Sequence, residues 1–516
     1  MLTEKTEPVR YDVTAENSAA RRQPLYAPRK KIFPKRASGQ FRRFKWLVML
    51  VTLTIYYVSP WLRWDRGPFA PDQAILVDLA NRRFYFFFIE IWPQEFYYVA
   101  GMLVMAGIGL FLVTSTVGRA WCGYACPQTV WVDLFLVVER AIEGDRNARI
   151  KLENAPWTAG KLTKRVAKHG IWLAIGVVTG GAWIFYFADA PTLLVDVVTL
   201  KAPFVAYATI LLLTATTYTF GGLLREQVCT YMCPWPRIQG AMLDENSLTV
   251  TYNDWRGEPR SRHAKKAAAE GRSVGDCVDC NACVVVCPMG IDIRDGQQLE
   301  CITCALCIDA CDDVMTRLGR ERGLISYATL GDYNRNMALA RGDAATIQPS
   351  RIRDSATGRL VAAVKRTDWR SIVRPRTLIY FIGWCAIGLA MLTVLAMRVP
   401  LAVNVLHDRN PLYVELRDGS VSNGFDVKIL NMMPVPRTVE LTISGLPGAQ
   451  LTLADSDETQ TTLQLAVEPD KVLPLRLYVR VDADNVPDRA ASFNIDVVSE
   501  DGALRSTAGA TFEVPE

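Results

Sequence analysis

The chain has 516 residues, half of them hydrophobic, and its 58 Lys and Arg against 53 Asp and Glu leave a formal net charge of only +5. This length exceeds that of one ordinary domain, and the composition favours membrane segments joined to soluble domains. The sequence contains neither a Walker phosphate-binding loop nor a glycine-rich dinucleotide fingerprint, which argues against the nucleotide-binding folds that use those motifs.

Residues 1–43 are predicted to form a basic arm before the first membrane helix. Residues 1–45 carry twelve Lys or Arg against four acidic residues, and the apolar run begins only at Trp46, unlike in an ordinary signal peptide. A basic segment beside a membrane helix stays in the cytoplasm by the positive-inside rule. A solvated, disordered tail agrees with the same composition, and nucleic-acid binding is disfavoured.

Five apolar stretches are long enough to cross a bilayer as helices: 44–62, 96–117, 170–187, 203–224 and 378–397. The loop 118–168 holds nine Lys or Arg, whereas the loop 188–202 holds only Lys201. This asymmetry predicts that the N-terminus and residues 246–376 are cytoplasmic and that the C-terminus is exported. We therefore predict a polytopic α-helical membrane protein, with a four-helix membrane domain at 44–245 and a fifth helix within 377–399.

An aromatic run, FYFFFIEIW at 84–92, precedes the second predicted membrane helix. Aromatic side chains at a membrane edge usually anchor the chain at the interface. The sharper interpretation is a quinone pocket in which Glu90 or Glu95 accepts a proton, since carboxylates near a membrane merit a functional hypothesis.

Two C-x3-C-P motifs follow predicted membrane helices on the cytoplasmic side. They are Cys122–Cys126 with Pro127, and Cys229–Cys233 with Pro234, and their first cysteines lie 107 residues apart. This spacing suggests an internal repeat, related by a pseudo-two-fold axis that would bring four sulfurs together. In a helix, positions i and i+4 share one face. Two to four thiolates would select Cu(I), zinc or another iron–sulfur cluster, with copper the leading metal. A redox-cycling dithiol and purely structural cysteines are the alternatives.

The segment from Cys277 to Cys311 contains two copies of C-x2-C-x2-C-x3-C, the pattern of a bacterial ferredoxin with two [4Fe–4S] clusters. In such proteins the fourth cysteine of each copy usually binds the other cluster. The predicted ligands of cluster 1 are Cys277, Cys280, Cys283 and Cys311. Those of cluster 2 are Cys301, Cys304, Cys307 and Cys287. Paired zinc sites and disulfides are the less favoured interpretations, since zinc sites use a longer spacer and disulfides need an oxidising compartment.

Residues 400–516 alternate short runs of β-forming residues with turn signals, which predicts an immunoglobulin-like sandwich. Eighteen acidic residues, nine basic residues and no cysteine agree with an exported domain that contacts a partner, or serves as a spacer. His407, Met432 and Met433 are weak candidates for copper ligands, because methionine is more often part of a core. The thirteenth cysteine, Cys385, is expected to pack as a small apolar residue within the fifth helix.

The whole layout resembles the FixG/RdxA/CcoG family, whose members are accessory proteins for assembly of cbb3-type cytochrome c oxidase. The resemblance is carried by WCGYACPQTVW, CTYMCPWPRIQG and CVDCNACVVVCPMGIDIRDGQQLECITCALCIDACDDVM, together with the basic arm, the fifth helix and the β-domain.

The resemblance implies a cupric reductase of the bacterial inner membrane that supplies Cu(I) to the oxidase. Its cofactors would be two [4Fe–4S] clusters. Its substrate would be a copper ion bound near Cys122, Cys126, Cys229 and Cys233. Its implied partners are membrane lipid, a cytoplasmic electron donor, and oxidase assembly factors or copper chaperones, with no nucleic acid. Two rival functions are an electron-transfer subunit of a larger membrane complex and a non-catalytic assembly scaffold.

Overall fold

The computed structural model describes residues 31–271, 274–341, 372–433, 435–454, 456 and 458–515. Residues 1–30, most of the predicted N-terminal arm, lie outside the described residues. Residues 342–371, which belong to the predicted cytoplasmic segment 246–376 and form most of its basic linker to the fifth helix, also lie outside them. The helices are α1 (Gln40–Val58), α2 (Tyr97–Val117), α3 (Ala120–Tyr124), α4 (Pro127–Glu143), α5 (Arg146–Asn154), α6 (Ala159–Ile184), α7 (Ala190–Val198), α8 (Phe204–Thr217), α9 (Trp235–Met242), α10 (Asp254–Gly257), α11 (Ala264–Ala269), α12 (Ala282–Val286), α13 (Leu306–Arg317), α14 (Leu330–Arg341) and α15 (Pro375–Ala396).

The strands form four separate sheets. They are β1 (Ile75–Asp78), β2 (Arg83–Phe86), β3 (Ile89–Ile91), β4 (Thr249–Tyr252), β5 (Ile325–Ala328), β6 (Leu401–His407), β7 (Val414–Glu415), β8 (Val421–Asn431), β9 (Arg437–Ser444), β10 (Ala449–Leu453), β11 (Thr459–Gln460), β12 (Thr462–Val467), β13 (Lys471–Val481), β14 (Ala491–Ser499) and β15 (Arg505–Phe512).

Three helical segments within the described residues are long and apolar enough to cross a membrane: Pro93–Val117, Phe204–Leu224 and Pro375–Ala396. They correspond to the second, fourth and fifth predicted spans. The first and third predicted spans lie in α1 and α6, which are helical but do not meet the same criterion of length and apolar composition. Basic residues begin both helices, with Arg42 and Lys45 in α1 and Lys161 and Lys168 in α6, so only their later turns are apolar.

Small residues let these helices approach closely. A Cβ atom at Gly180 of α6 would lie 2.8 Å from the carbonyl oxygen of Ile210 in α8, and one at Gly101 of α2 would lie 2.6 Å from the sulfur of Met391 in α15. Lipid is as apolar as the surface of a membrane helix, so the hydrophobic effect does not drive such helices together. Close approach of this kind supplies the packing contacts that do. The result is two helix pairs, α6 with α8 and α2 with α15.

A small cysteine-rich domain follows α9. Antiparallel β4 and β5 close it, because the register from Thr249 opposite Ala328 to Tyr252 opposite Ile325 joins its beginning to its end. Its core contains Cys277, Cys283 and Cys311 among buried aliphatic side chains. The cysteine loops are thus held inside one compact unit, which we call the ferredoxin domain.

The start of α1 ties the ferredoxin domain to the membrane helices. The Asp309 carboxylate in α13 accepts hydrogen bonds from the backbone N–H groups of Phe41 (3.2 Å) and Arg42 (2.8 Å). The guanidinium of Arg42 in turn donates to both carboxylate oxygens of Asp133 in α4, at 2.7 and 2.9 Å. Since Arg42 and Asp133 are both buried, removing either partner alone would leave an uncompensated buried charge.

The C-terminal domain is a sandwich of two antiparallel sheets. The first has the strand order β11-β10-β13-β8-β6, with β7 also paired to β8, and the second has the order β12-β9-β14-β15. Alternate residues of the strands face inward and form one core, represented by Phe425, Leu441, Val479 and Phe512. This two-layer arrangement agrees with the sandwich predicted from the alternation of β-forming residues.

A three-stranded sheet, β1-β2-β3, contacts the β-domain at the end of α2 that faces away from the ferredoxin domain. Arg398, just after α15, bonds to the Glu95 carboxylate (2.8 Å) and donates to the Glu90 carbonyl oxygen (2.7 Å). Arg83 of β2 pairs with Glu90 (3.0 Å) and donates to the carbonyl oxygen of Asp470 in the β-domain. The ferredoxin domain and the β-domain therefore lie at opposite ends of α2 and α15.

We expect this contact to be most stable at mildly acidic pH. Burial, reinforced by the nearby Asp470 carboxylate, raises the pKa of Glu90 to about 7, despite the opposing Arg83 and Arg398. The folded protein therefore holds this proton more tightly than the unfolded chain, and stability falls as pH rises from the ordinary glutamate range through about 7, by on the order of 2 kcal/mol. Unfolding of the protein in detergent across this pH range measures the slope, which Glu90→Gln should flatten. An unchanged slope in that variant would contradict the assignment to Glu90.

Candidate functional site

The two cysteine loops of the ferredoxin domain repeat one unusual backbone pattern. Asp279 and Asn281 in the first loop, and Thr303 and Ala305 at the matching positions of the second, all adopt positive φ values between 49° and 59°. Residues other than glycine rarely adopt this region. Such strained backbone persists only where the surrounding structure enforces it. Left-handed residues in a loop can turn successive backbone N–H groups toward one point, an arrangement that is found around Fe–S clusters.

The fourth cysteine of each motif lies beside the first three of the other. The ionisation of Cys311 is opposed by Cys277, Cys280 and Cys283, although burial is the larger cause of its raised pKa of about 12. In the same way, loss of solvent raises the pKa of Cys287 to about 12, and the thiols of Cys304 and Cys301 raise it further. These neighbours are the members of the two ligand sets that the spacing predicts.

The protein environment fits a bound cationic cluster better than free thiols. Loss of solvent raises the pKa of Cys283 to about 11 and that of Cys307 well above its ordinary value. Thiolates at such positions need the positive charge of a metal, which displaces their protons on binding. No group of three or more His, Cys, Asp or Glu side chains in the described ranges is arranged around a single metal ion. A cubane differs from such a site, because each of its four thiolates binds a different iron atom.

Each C-x3-C-P motif is a helical turn that ends before its second cysteine. Cys122 lies in α3 and Cys229 in a π-helical turn, Val228–Met232. Cys126 and Cys233 follow in extended geometry, with ψ values of 130° and 125°. The expectation that each pair shares one helical face is therefore wrong. The prolines at the next position are the reason, because proline disfavours helical geometry in the residue before it.

The four motif thiols lie near enough to influence one another's ionisation, although within the described ranges they are not arranged around a single metal ion. Loss of solvent raises the pKa of Cys229 to about 12, and Cys126, Cys122 and Cys233 raise it further. We call these four side chains the thiol tetrad. The Cys122 sulfhydryl donates to the side-chain oxygen of Gln239 in α9 at 3.0 Å. The glutamine is a site residue that the sequence reasoning missed, and its position in PWPRIQG offered no distinguishing signal.

The first C-x3-C-P motif packs directly against the second cysteine loop of the ferredoxin domain. A Cβ atom at Gly123 would lie 2.6 Å from the carbonyl oxygen of Ile302 and 3.0 Å from the Cα atom of Cys304. Cys122 shares a buried cluster with Ile302 and Cys304, and the hydroxyl of Tyr124 donates to the carbonyl oxygen of Cys304 at 3.1 Å. Only glycine permits this approach, which places Cys122 of the tetrad beside Cys304, a predicted ligand of cluster 2.

Arg119 adds positive charge at the same junction. It is buried and donates to the carbonyl oxygen of Leu299. Burial raises the pKa of Cys122 to about 11 and also raises the pKa of Cys301, and the positive charge of Arg119 partly offsets both increases. The guanidinium therefore reduces the cost of forming thiolates on both sides of the contact. Its counterpart in the second motif, Arg225, pairs instead with Glu139 in α4.

The remaining candidates lie elsewhere. His407 bonds to Asn423 (2.9 Å), at the opposite end of the β6–β8 pair from Met432, whose sulfur accepts from Gln94 at 3.5 Å. Met433 follows Met432 and its carbonyl oxygen accepts from the N–H of Asp470. Glu90 and Glu95 form the arginine pairs described above. Cys385 is exposed on α15.

Comparisons with known proteins agree with this division of the chain. A family model described as a 4Fe-4S dicluster domain matches residues 224–330, one described as a 4Fe-4S binding domain matches residues 99–143, and one described as the IG-like fold at the C-terminus of FixG matches residues 391–515. The chain is 66% identical to the nitrogen fixation protein FixG of Rhizobium meliloti over 98% of its length and 97% of that protein. It is 50% identical to the protein RdxA of Cereibacter sphaeroides over 93% of its length and 95% of that protein.

Proposed function

Because the chain belongs to the FixG/RdxA family of iron–sulfur redox proteins, we propose that it is a membrane-bound cupric reductase. Its ferredoxin domain would deliver single electrons to Cu(II) at the thiol tetrad. The product, Cu(I), would be supplied for assembly of a cbb3-type cytochrome c oxidase. Oxidase assembly factors or copper chaperones would receive the ion.

The observation that carries this proposal is the contact at Gly123. The backbone of the first C-x3-C-P motif touches the backbone around Ile302 and Cys304 without an intervening side chain. The first motif, with the buried Cys122, therefore lies next to one cluster site. This contact would give an electron a short path from the second cysteine loop to Cys122.

The eight ferredoxin cysteines would hold two [4Fe–4S] clusters, which when bound supply one-electron redox couples. The assignment places Cys287, Cys301, Cys304 and Cys307 beside the tetrad. The other set, Cys277, Cys280, Cys283 and Cys311, includes the exposed Cys280. The surface around Cys280 is therefore the proposed entry point for a cytoplasmic electron donor.

At the tetrad the reaction is the transfer of one electron to a Cu(II) substrate ion, giving Cu(I) with no bond broken. Thiolates bind Cu(I) in preference to harder ligands, so the tetrad would stabilise the product ion. Cys126 and Cys233, which follow their helical turns in extended geometry, would adjust to the ion more readily than side chains fixed within a helix. Arg119 would offset the charge of the thiolates before the ion binds.

The proposed placement puts the ferredoxin domain in the cytoplasm and the β-domain in the periplasm of the bacterial inner membrane. The segment 118–168 holds nine Lys or Arg, whereas the segment 188–202 holds only Lys201, which supports this direction. In this arrangement α1 and α6 would join the three longer apolar segments to give five membrane helices. The β-domain would contact the partner protein.

A second candidate function is electron transfer within a larger membrane complex, with a further cluster at the tetrad. The match of a 4Fe-4S binding domain to residues 99–143, which include Cys122 and Cys126, favours this alternative. In that case the tetrad would relay electrons to a separate catalytic partner, and the chain alone would reduce no metal.

Metal counting with electron paramagnetic resonance separates the two functions. We expect about eight iron atoms per chain, four for each cluster. When the reduced protein is mixed with Cu(II), the signals of reduced clusters should disappear together with the Cu(II) signal, in equal numbers of electrons. About twelve iron atoms, with a Cu(II) signal that persists, would refute the copper proposal and support the relay.

A further inference from the structure

A large cavity lies beside the thiol tetrad, outside the site described so far. Its volume is about 1020 Å³, and its walls come from α4, the first half of α6, the segment following α5 and the end of the apolar segment Phe204–Leu224. Leu223, Arg225 and Glu226 line it, so it opens where that apolar segment gives way to charged residues. The cavity therefore lies at the membrane edge on the ferredoxin side.

The walls of the cavity are more positive than negative. Five lining residues are Lys or Arg and three are Glu. Most of these cations already pair with glutamates: Arg165 bonds to Glu143 at 3.1 Å and Lys168 bonds to Glu143 at 2.9 Å. The ammonium of Lys161 instead donates to two neutral carbonyl oxygens, those of Glu153 (2.9 Å) and Ala155 (2.6 Å). The lining thus keeps a positive excess that a bound anion would offset.

Apolar side chains stand next to these cations. Trp157 is 74% exposed, Leu162 is 54% exposed and Val166 is 63% exposed, and all three line the cavity. The ammonium of Lys161 lies 5.0 Å from the centre of the Trp157 ring. A cavity with exposed aliphatic and indole groups beside buried cations suits a ligand that carries both an anionic group and a hydrocarbon chain. A soluble anion would use only half of these features.

We propose that the cavity binds the headgroup of an anionic phospholipid, with the acyl chains lying along Leu162 and Val166 of α6. Basic pockets between membrane helices on the cytoplasmic side are suited to anionic headgroups. Lys31, whose side chain is half-exposed, and Arg165 both pair with the single carboxylate of Glu153. Because one carboxylate offsets only one of these two cations, they would contribute the phosphate-facing charge. Because Arg225 and Glu226 also line the smaller cavity that contains Cys229, the bound lipid would close the membrane edge beside the tetrad.

The test uses the full-length protein, freed of phospholipid in a neutral detergent and titrated with phosphatidylglycerol, phosphatidylcholine or glycerol phosphate. Native mass spectrometry counts the bound lipid. We expect the protein to bind phosphatidylglycerol more tightly than phosphatidylcholine. Each of Lys31→Gln and Arg165→Gln should weaken the affinity for phosphatidylglycerol by about fivefold. The matched control, Lys151→Gln with Lys164→Gln, removes the same charge from exposed positions outside the cavity and should bind as the unaltered protein does.

Three outcomes would overturn the proposal. Equal binding of the two lipids would show that the anionic headgroup is not recognised. Equally tight binding of glycerol phosphate would identify a soluble anion as the ligand. Equal weakening in the control would indicate a diffuse effect of surface charge. If Arg165→Gln lowers the iron content or the unfolding temperature, Lys31→Gln alone decides, because its side chain lies at the surface. None of these results depends on copper reduction.

Discussion

The quadruple variant with Cys122, Cys126, Cys229 and Cys233 changed to Ser is expected to lose Cu(II) reduction while it keeps the iron of both clusters. Serine oxygens are harder ligands than thiolates and do not favour Cu(I), so the acceptor site is lost. The fold should survive, since Ser at position 122 can still donate to Gln239, which Cys122 contacts at 3.0 Å. Anaerobic transfer of electrons from dithionite-reduced protein to Cu(II), with iron counted in the same sample, measures both effects.

The matched control for this variant is Cys385→Ser, which removes one exposed thiol of α15 far from the tetrad. It should reduce Cu(II) as the unaltered protein does. Undiminished reduction by the quadruple variant would refute the assignment of the copper site. Loss of about four iron atoms in that variant would identify the tetrad as cluster ligands, in favour of the relay function.

The cysteine spacing was sufficient to predict the ferredoxin domain. Ligands that follow one another at two-residue intervals must lie on one loop, so local sequence already restricts their geometry. The left-handed backbone at Thr303 and Ala305 could not be predicted, because neither residue type favours that region. Their conformation is enforced by the tertiary fold and is visible only once the loop is built.

The junction between the ferredoxin domain and the membrane helices was predicted only in part. The distance of 43 residues between Cys233 and Cys277 suggested that the tetrad and the clusters are neighbours. Which loop makes contact depends on long-range bonds, such as those of the Asp309 carboxylate to the start of α1. Bonds between residues more than 250 positions apart leave no periodic pattern in the sequence.

The C-x3-C-P motifs show how a local rule can overrule a periodic one. Spacing of i and i+4 predicts a shared helical face, whereas proline at the following position excludes helical geometry from the second cysteine. The sterics of Pro127 and Pro234 prevail in both motifs. The consequence is that the second cysteine of each motif lies past the end of its helical turn, whereas the first lies within it.

Gly123→Ala is expected to slow electron delivery to the tetrad severalfold without removing any cysteine. An added Cβ atom would lie 2.6 Å from the Ile302 carbonyl oxygen and 3.0 Å from the Cα atom of Cys304, so backbone on one side must move. Overpacking of this kind costs about 1–3 kcal/mol. The displacement would widen the gap between the second cysteine loop and the tetrad. Stopped-flow oxidation of the reduced clusters by Cu(II) measures the rate.

Gly107→Ala is the matched control, because a Cβ atom at this position of α2 meets nothing within 4 Å. Alanine in a helix interior should leave the rate unchanged and raise stability by about 0.5–1 kcal/mol. If Gly123→Ala transfers electrons as fast as this control while both variants hold the same iron, the second cysteine loop is not the exit. Electrons would then have to leave from the set that contains Cys280, and the proposed direction of transfer would be reversed.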